Sequence, residues 1–251
     1  MTECMQIDKL NEQLLEYIPG LIAVVGCDGT GKSTLTADLV KNLREKWVTE
    51  RRYLGLVSGE DGDKIKRLPF VGVWLERRLA AKSSKTQSMS TKSPAIWAAL
   101  IMYGFSLRRR ANLRKALHLA QSGVLVISDR YPQAEISGFH YDGPVIGVER
   151  VEDGIKSHLA ERELMLYQQI AHLRPELIIR LDIDIETAFS RKPDHDYEEL
   201  RDKISVMARI GYNGSKILEL DSRAPYSEVL EKALEAVSSV AIASHRRRVT
   251  I

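Results

Sequence analysis

Residues 26–33 read Gly-Cys-Asp-Gly-Thr-Gly-Lys-Ser. Their types and order can bind phosphate. Gly26, Gly29 and Gly31 allow the backbone to curl until its N–H groups converge on phosphate oxygens. Lys32 places a point charge at the β- and γ-phosphates, and Ser33 offers a hydroxyl to Mg²⁺. Thr30 is a further nucleotide-binding position of the loop, and Thr34 can reach the α-phosphate. The pattern G-x-x-x-x-G-K-[ST] is matched in full. The context fits as well, because the apolar run LIAVVG (21–26) precedes it and a helical pattern opens near Lys32. A helix N-terminus there adds positive potential. The chemistry implied is binding of a nucleoside triphosphate with magnesium.

A second constellation is VLVISDRYP (124–132), an apolar run ending in Asp129, Arg130 and Tyr131. An acid at the carboxyl end of a buried strand lies in the crevice where open α/β sheets bind ligands. Asp129 can hold Mg²⁺ or orient an attacking group. Arg130 can grip a phosphate with two parallel N–H bonds. Arginines recur at 108–110 and 114, most of them a solvated helix face.

Positioning these residues needs alternating strands and helices. Strands are expected at 21–26, 53–58, 124–128, 176–183 and 216–221, with a long helix from about Pro94 to Gln121. Alternation of this kind implies a mostly parallel sheet with helices on both faces. Apolar positions at Ile7, Leu10, Leu14, Leu15 and Ile18 suggest an N-terminal helix over 1–19, stopped by Pro19 and Gly20. The stretch 59–94 reads as a variable insertion. Its KSSKTQSMSTKSP piece (82–94) is a solvated linker or a lid over an anionic substrate.

Composition sets outer limits. The chain has 251 residues, 44% hydrophobic and 28% charged. Those fractions exclude a collagen, a coiled coil, a disulfide scaffold or a disordered tail as the whole-chain reading. The two cysteines, Cys4 and Cys27, are too few for a thiolate zinc site and fit a cytoplasmic home. A net charge of +3 permits anionic small substrates without demanding nucleic acid. The longest apolar stretch, residues 95–107, is too short to span a bilayer. One domain over 1–251 is expected, with a basic tail at 245–251.

The motifs, taken together, resemble the thymidylate kinase family, as a divergent member. The matching pieces are GCDGTGKST (26–34), FSLRRR (105–110), GVLVISDRY (123–131), RPELIIRLDIDIETAFSR (174–191) and LELDSRAPYSEV (218–229). The resemblance implies a P-loop NTPase three-layer α/β sandwich with a mostly parallel five-stranded sheet flanked by helices. It implies ATP- and Mg²⁺-dependent transfer of the γ-phosphate to a nucleoside monophosphate, thymidylate by default, and often a homodimer. Lys32 and Ser33 look like the ATP and magnesium contacts, with Asp129 at the metal. Asp28 looks like the loop acid near acceptor and metal. Arg108 and Arg130, with Tyr131 beside them, look like acceptor ligands. Arg191 looks like the arginine that lies against adenine, at the entry to a lid over 191–201.

Three stretches depart from that family. VSGEDGDK (57–64) stands where the family has an Arg-Glu-Pro-Gly segment that touches the acceptor. Gly29 stands where many members keep a catalytic arginine, and the lid is short and acidic, offering Lys192 and Arg201. Asp194, His195 and Asp196 read as a solvated turn. After Tyr131 the chain also differs, and HYDGP (140–144) resembles a branch linked to bacterial polysaccharide synthesis. Gln133, Phe139, His140 and Tyr141 line an acceptor pocket there or hold the loop. The competing functions are a kinase for another small acceptor (a deoxynucleoside, a sugar or a sugar phosphate) and an ATP-binding regulatory protein with little turnover.

Overall fold

The computed structural model describes residues 16–56, 96–138, 141–151 and 154–249. Residues 1–15 of the expected N-terminal helix (1–19), the insertion at 59–94, Phe139, His140 and the tip of the basic tail lie outside these residues.

Five strands make one parallel sheet. They are β1 (Glu16–Gly26), β2 (Thr49–Tyr53), β3 (Leu125–Asp129), β4 (Leu173–Asp182) and β5 (Ile217–Asp221). Their order is β2-β3-β1-β4-β5, and every pairing is parallel. The helices are α1 (Lys32–Leu43), α2 (Ile96–Gln121), α3 (Ile155–Ala171), α4 (Ile185–Arg191), α5 (Tyr197–Arg209) and α6 (Tyr226–Val249).

The continuous apolar run of β1 is explained by burial on both faces. Leu21, Ala23 and Val25 point to one side and pack with Leu113 and Ala116 of α2 and with Leu166, Tyr167 and Ile170 of α3. Ile22 and Val24 point to the other and pack with Leu35, Leu39 and Leu43 of α1 and with Val229, Ala233 and Val237 of α6. The result is the three-layer α/β sandwich that the strand pattern implies.

Two expectations need correction. Residues 16–18 are strand rather than helix, and Pro19 and Gly20 sit within β1. The pairing of β1 to β4 shifts register between Ile18 and Ile22, so Pro19 and Gly20 form a bulge. Gly20 takes φ 82, and its N–H donates to the Glu176 carboxylate at 2.7 Å. The second strand is Thr49–Tyr53; of the expected 53–58, residues 54–56 lie past its end and 57–58 lie outside the described residues. Among the described residues it is an edge strand paired only to β3, so it tolerates the polar sequence TERRY, which carries no apolar signal. Leu54 continues the ladder for one bond, donating to Asp129 O at 3.0 Å.

Candidate functional site

The glycine-rich loop joins β1 to α1 at the carboxyl edge of the sheet. Gly26 ends β1 at φ 147, and a Cβ there would stand 2.7 Å from Leu181 O, so no other residue fits against β4. Gly31 caps α1 in the left-handed region at φ 83. Thr30 Oγ1 donates to Cys27 O at 2.9 Å and fixes the curl. Lys32 Nζ donates to the same carbonyl and is only 7% exposed. Burial, then the cations Arg130 and Lys203, pull its pKa down to about 8 against the opposing pull of Asp28. Thr34 is exposed on the first turn of α1.

Asp129 closes β3 and is buried. One of its oxygens, Oδ2, accepts from Ser33 Oγ at 2.8 Å and from Arg51 Nη2 at 2.7 Å. The serine hydroxyl and the carboxylate are hard oxygen donors held side by side at the mouth of the loop, a donor set that suits Mg²⁺. Among the described residues no cluster of three or more His, Cys, Asp or Glu forms a separate metal centre.

Arg130 follows in the left-handed region at φ 71, its N–H tied to Val24 O at 2.9 Å. That backbone turn swings its guanidinium between two carboxylates, Asp28 at 3.3 Å and Asp142 at 3.4 Å. Burial opposes its charge, but Asp142, Tyr53 and Asp28 hold its pKa well above the usual arginine range. Each carboxylate has a closer partner. Asp28 accepts from Lys203 Nζ at 2.7 Å, and Asp142 accepts from Arg109 Nη2 at 2.8 Å. Burial pushes the Asp28 carboxyl up, yet Lys203 and Lys32 together keep it well below the usual carboxylate range. Asp142 is held low in the same way by Arg109 and then Arg130.

The inward-facing arginine of α2 is therefore Arg109, not Arg108. Arg108 lies on the exposed side of the helix, whereas Arg109 is 1% exposed. Arg109 donates to Leu54 O at 2.6 Å, to Asp142 O at 3.0 Å and to Tyr167 OH at 3.4 Å. Tyr131 also departs from expectation. It is 2% exposed, it packs in the core, and its hydroxyl donates to Leu173 O at 2.6 Å. Its chemistry serves the scaffold beside the site. Gln133 is buried too, with its amide bonded to Ile136 and Tyr141 backbone groups, so it shapes the loop.

On the opposite side of the phosphate loop, Arg191 closes α4. It donates to Gly29 O at 3.2 Å and to Ser222 O at 3.0 Å, bridging the loop to the turn after β5. Gly29 has φ 86, with the side chains of Arg191 and Lys192 alongside. Lys192 is exposed there. In the short turn that follows, Asp196 caps α5 by accepting from the Glu199 N–H at 2.9 Å. His195 Nε2 stands 3.8 Å from Asp28. Arg201 turns away to Glu198.

Besides Arg109, three candidate residues carry little or no signal in the sequence. Lys203 lies two residues past the expected lid boundary. Leu200, Lys203 and Met207 are the buried positions of α5, so a lysine in an apolar stripe was the available signal. Asp142 sat within the noted HYDGP stretch, but nothing local marked it as a buried ion-pair partner. Arg51 carried no signal beyond its charge.

Fold and loop geometry define a P-loop α/β protein, with the phosphate-binding loop between β1 and α1 at the carboxyl edge of the parallel sheet. Its overall fold matches deoxyadenosine kinase from M. mycoides, solved with products dCMP and a flexible dCDP bound and solved with bound dATP. Each comparison has a TM-score of 0.50. Identity is 15% and 14%, over 87% of this chain and 98% and 99% of the other. No family model matches. Curated relatives are far closer in sequence. The ATP-binding protein YghR of Escherichia coli K12 is 79% identical over 234 residues, 93% of each chain. The ATP-binding protein YghS of the same strain is 45% identical over 232 residues, 92% of this chain and 98% of that one. The chain belongs to the YghR–YghS family.

Proposed function

We infer that this protein is an ATP- and Mg²⁺-dependent phosphotransferase that moves the γ-phosphate to a small anionic acceptor, a nucleoside monophosphate. The observation that carries this reading is the crowding of Lys32, Arg51, Arg109, Arg130 and Lys203 around Asp28, Asp129 and Asp142 at the carboxyl edge of the sheet. Among the described residues cations exceed carboxylates here, which favours ligands that bring negative charge. The names of the YghR and YghS relatives support ATP as the donor.

Each group then has a role. The loop N–H groups and Lys32 hold the β- and γ-phosphates. Ser33 and Asp129 are the residues that would hold Mg²⁺, which neutralises charge on the transferring phosphoryl group. Arg130, whose two carboxylate contacts are long, turns to the acceptor phosphate. Arg109 holds Asp142 in place beneath it. Lys203 brings a cation from α5 to the transfer point. Arg191 lies where the adenine leaves the loop, a stacking role that suits a planar guanidinium. A monophosphate is already a nucleophile and needs no base. This agrees with the described carboxylates, since Asp28 is held ionised well below neutrality and Asp129 accepts from two donors.

Thymidylate is the first acceptor to test. Deoxynucleosides, already an alternative on the sequence and compatible with the deoxyadenosine kinase fold, form a second arm, with sugars and sugar phosphates as a third. ADP release would be followed with ATP and Mg²⁺ over that panel, using Lys32→Ala as the blank. Stimulation by one monophosphate, absent in Lys32→Ala, is the expected result. Release stimulated only by an uncharged acceptor would move the assignment to a nucleoside or sugar kinase. ATP binding with no stimulated release would point to a regulatory protein.

A further inference from the structure

Phosphoryl transfer spreads charge over the equatorial oxygens of the moving group, and fixed cations must face them. Most cations around this loop are already committed. Arg109 is fully enclosed, Lys203 is held by Asp28, and Arg130 lies between two carboxylates. Arg201 is turned to Glu198, and Arg191 is bonded to two backbone carbonyls. Gly29, at φ 86, brings no side chain at all.

Arg51 differs from all of these. Its side chain is 39% exposed while its partner Asp129 is 2% exposed, so it reaches from solvent into the mouth of the site. Its bond to Asp129 falls on Oδ2, the oxygen that also accepts from Ser33. One carboxylate oxygen thus separates the guanidinium from the serine of the phosphate loop. Among the described residues this single Nη2 bond is its one hydrogen bond, which leaves Nε and Nη1 for another acceptor. The strand register places it correctly. Arg51 pairs with Ile127 and Tyr53 with Asp129, so Arg51 lies two residue pairs inside the ligand-binding edge and its side chain extends to the Asp129 carboxylate there. Its neighbour Arg52 pairs with Glu50.

We propose that Arg51 is a triphosphate-binding residue, gripping the β- and γ-phosphates from β2 on the side opposite the α5 lysine. The proposal rests on the phosphotransferase reading and adds a contact to it. A guanidinium fork with one N–H on Asp129 presents two more to phosphate oxygens, a geometry that a lysine cannot copy.

The test is direct binding of ATP, ADP and AMP by titration calorimetry, in EDTA and again with Mg²⁺. Adenine and α-phosphate contacts are common to all three, so the ATP-to-AMP ratio isolates the outer phosphates. Arg51→Gln should weaken ATP about tenfold in EDTA, the scale of one charge-assisted hydrogen bond, and leave AMP unchanged. Arg51→Lys should fall between wild type and Arg51→Gln. If Arg51 merely clamps β2 to β3, ATP and AMP weaken together, or the melting temperature drops with the ratio intact. Either result overturns the proposal. Should Arg51→Gln not fold, the ratio in Arg51→Lys decides: a value equal to wild type overturns it. Failure of the phosphotransferase reading looks different. The wild type then shows no acceptor-stimulated ADP release, while the ATP-to-AMP ratio still responds to Arg51.

Discussion

Lys32 is a buried cation beside other cations, and that fixes a pH dependence. Its folded pKa is lowered to about 8, first by burial and then by Arg130 and Lys203. A bound triphosphate supplies the missing counter-charge and raises it again. Above about pH 8 the empty loop holds a neutral amine, and ATP binding must take up a proton. Calorimetry at pH 8.5 in buffers of different ionisation enthalpy should therefore show proton uptake, with ATP affinity falling as pH rises further. Binding with no proton exchange at that pH would refute the assignment of this lysine. The loop itself was legible because its glycines, lysine and serine are constrained locally by the shape of the curl. The arginines of α2 were not. Three successive arginines, 108 to 110, differ only in helical phase, and that phase is set by how Ser106, Leu113 and Ala116 meet the sheet and α3. Tyr131 shows the same limit, since its role depends on where Leu173 O falls across the sheet.

At the scale of elements, α5 is the piece with a mechanical role. Asp196 caps its first turn, and Arg180 of β4 receives its end by donating to Met207 O at 2.8 Å and Ile210 O at 2.7 Å. Arg180 is in turn bonded to Glu219 of β5. A helix held at both ends delivers Lys203 to Asp28 from a fixed frame. Lys203→Met removes the nearest counter-charge of a partly buried carboxylate, so the pKa of Asp28 must rise. The expected result is a roughly hundredfold loss of turnover, the scale of one electrostatic contact to the transition state, with the acid limb of the pH–rate profile moved upward. Lys203→Arg should restore much of both. An unmoved acid limb would separate Lys203 from Asp28 in function. Strand and helix order followed from the sequence wherever an element is buried on both sides, as β1, β3 and β4 are. It failed at β2, where an edge strand has one neighbour and a polar sequence suffices, and at Pro19–Gly20, where a bulge held by Glu176 replaced a helix stop.

Across the whole molecule, one chain of charges ties four parts of the fold together. It runs from Arg109 on α2 to Asp142, to Arg130 after β3, to Asp28 in the phosphate loop and to Lys203 on α5. Its more deeply buried carboxylate is Asp142, which holds φ 61 and is almost fully buried. Asp142 and Asp28 both have folded pKa values below their unfolded ones. They therefore contribute stability above the unfolded carboxylate value and lose it as pH falls through the lower folded values. The midpoint of urea unfolding should decline below about pH 4. Asp142→Asn should flatten part of that decline, because the group that titrates is gone. It should also cost about 3–5 kcal/mol at neutral pH, since it leaves the enclosed Arg109 guanidinium without its counter-charge. A cycle with Arg109→Met separates this from simple loss of packing. Removing both partners should cost less than the sum of the single changes, by 0.5–3 kcal/mol on the usual scale of coupled neighbours. Strict additivity would mean that Asp142 and Arg109 act independently, and that Arg130 alone carries the link from the acceptor side to the phosphate loop.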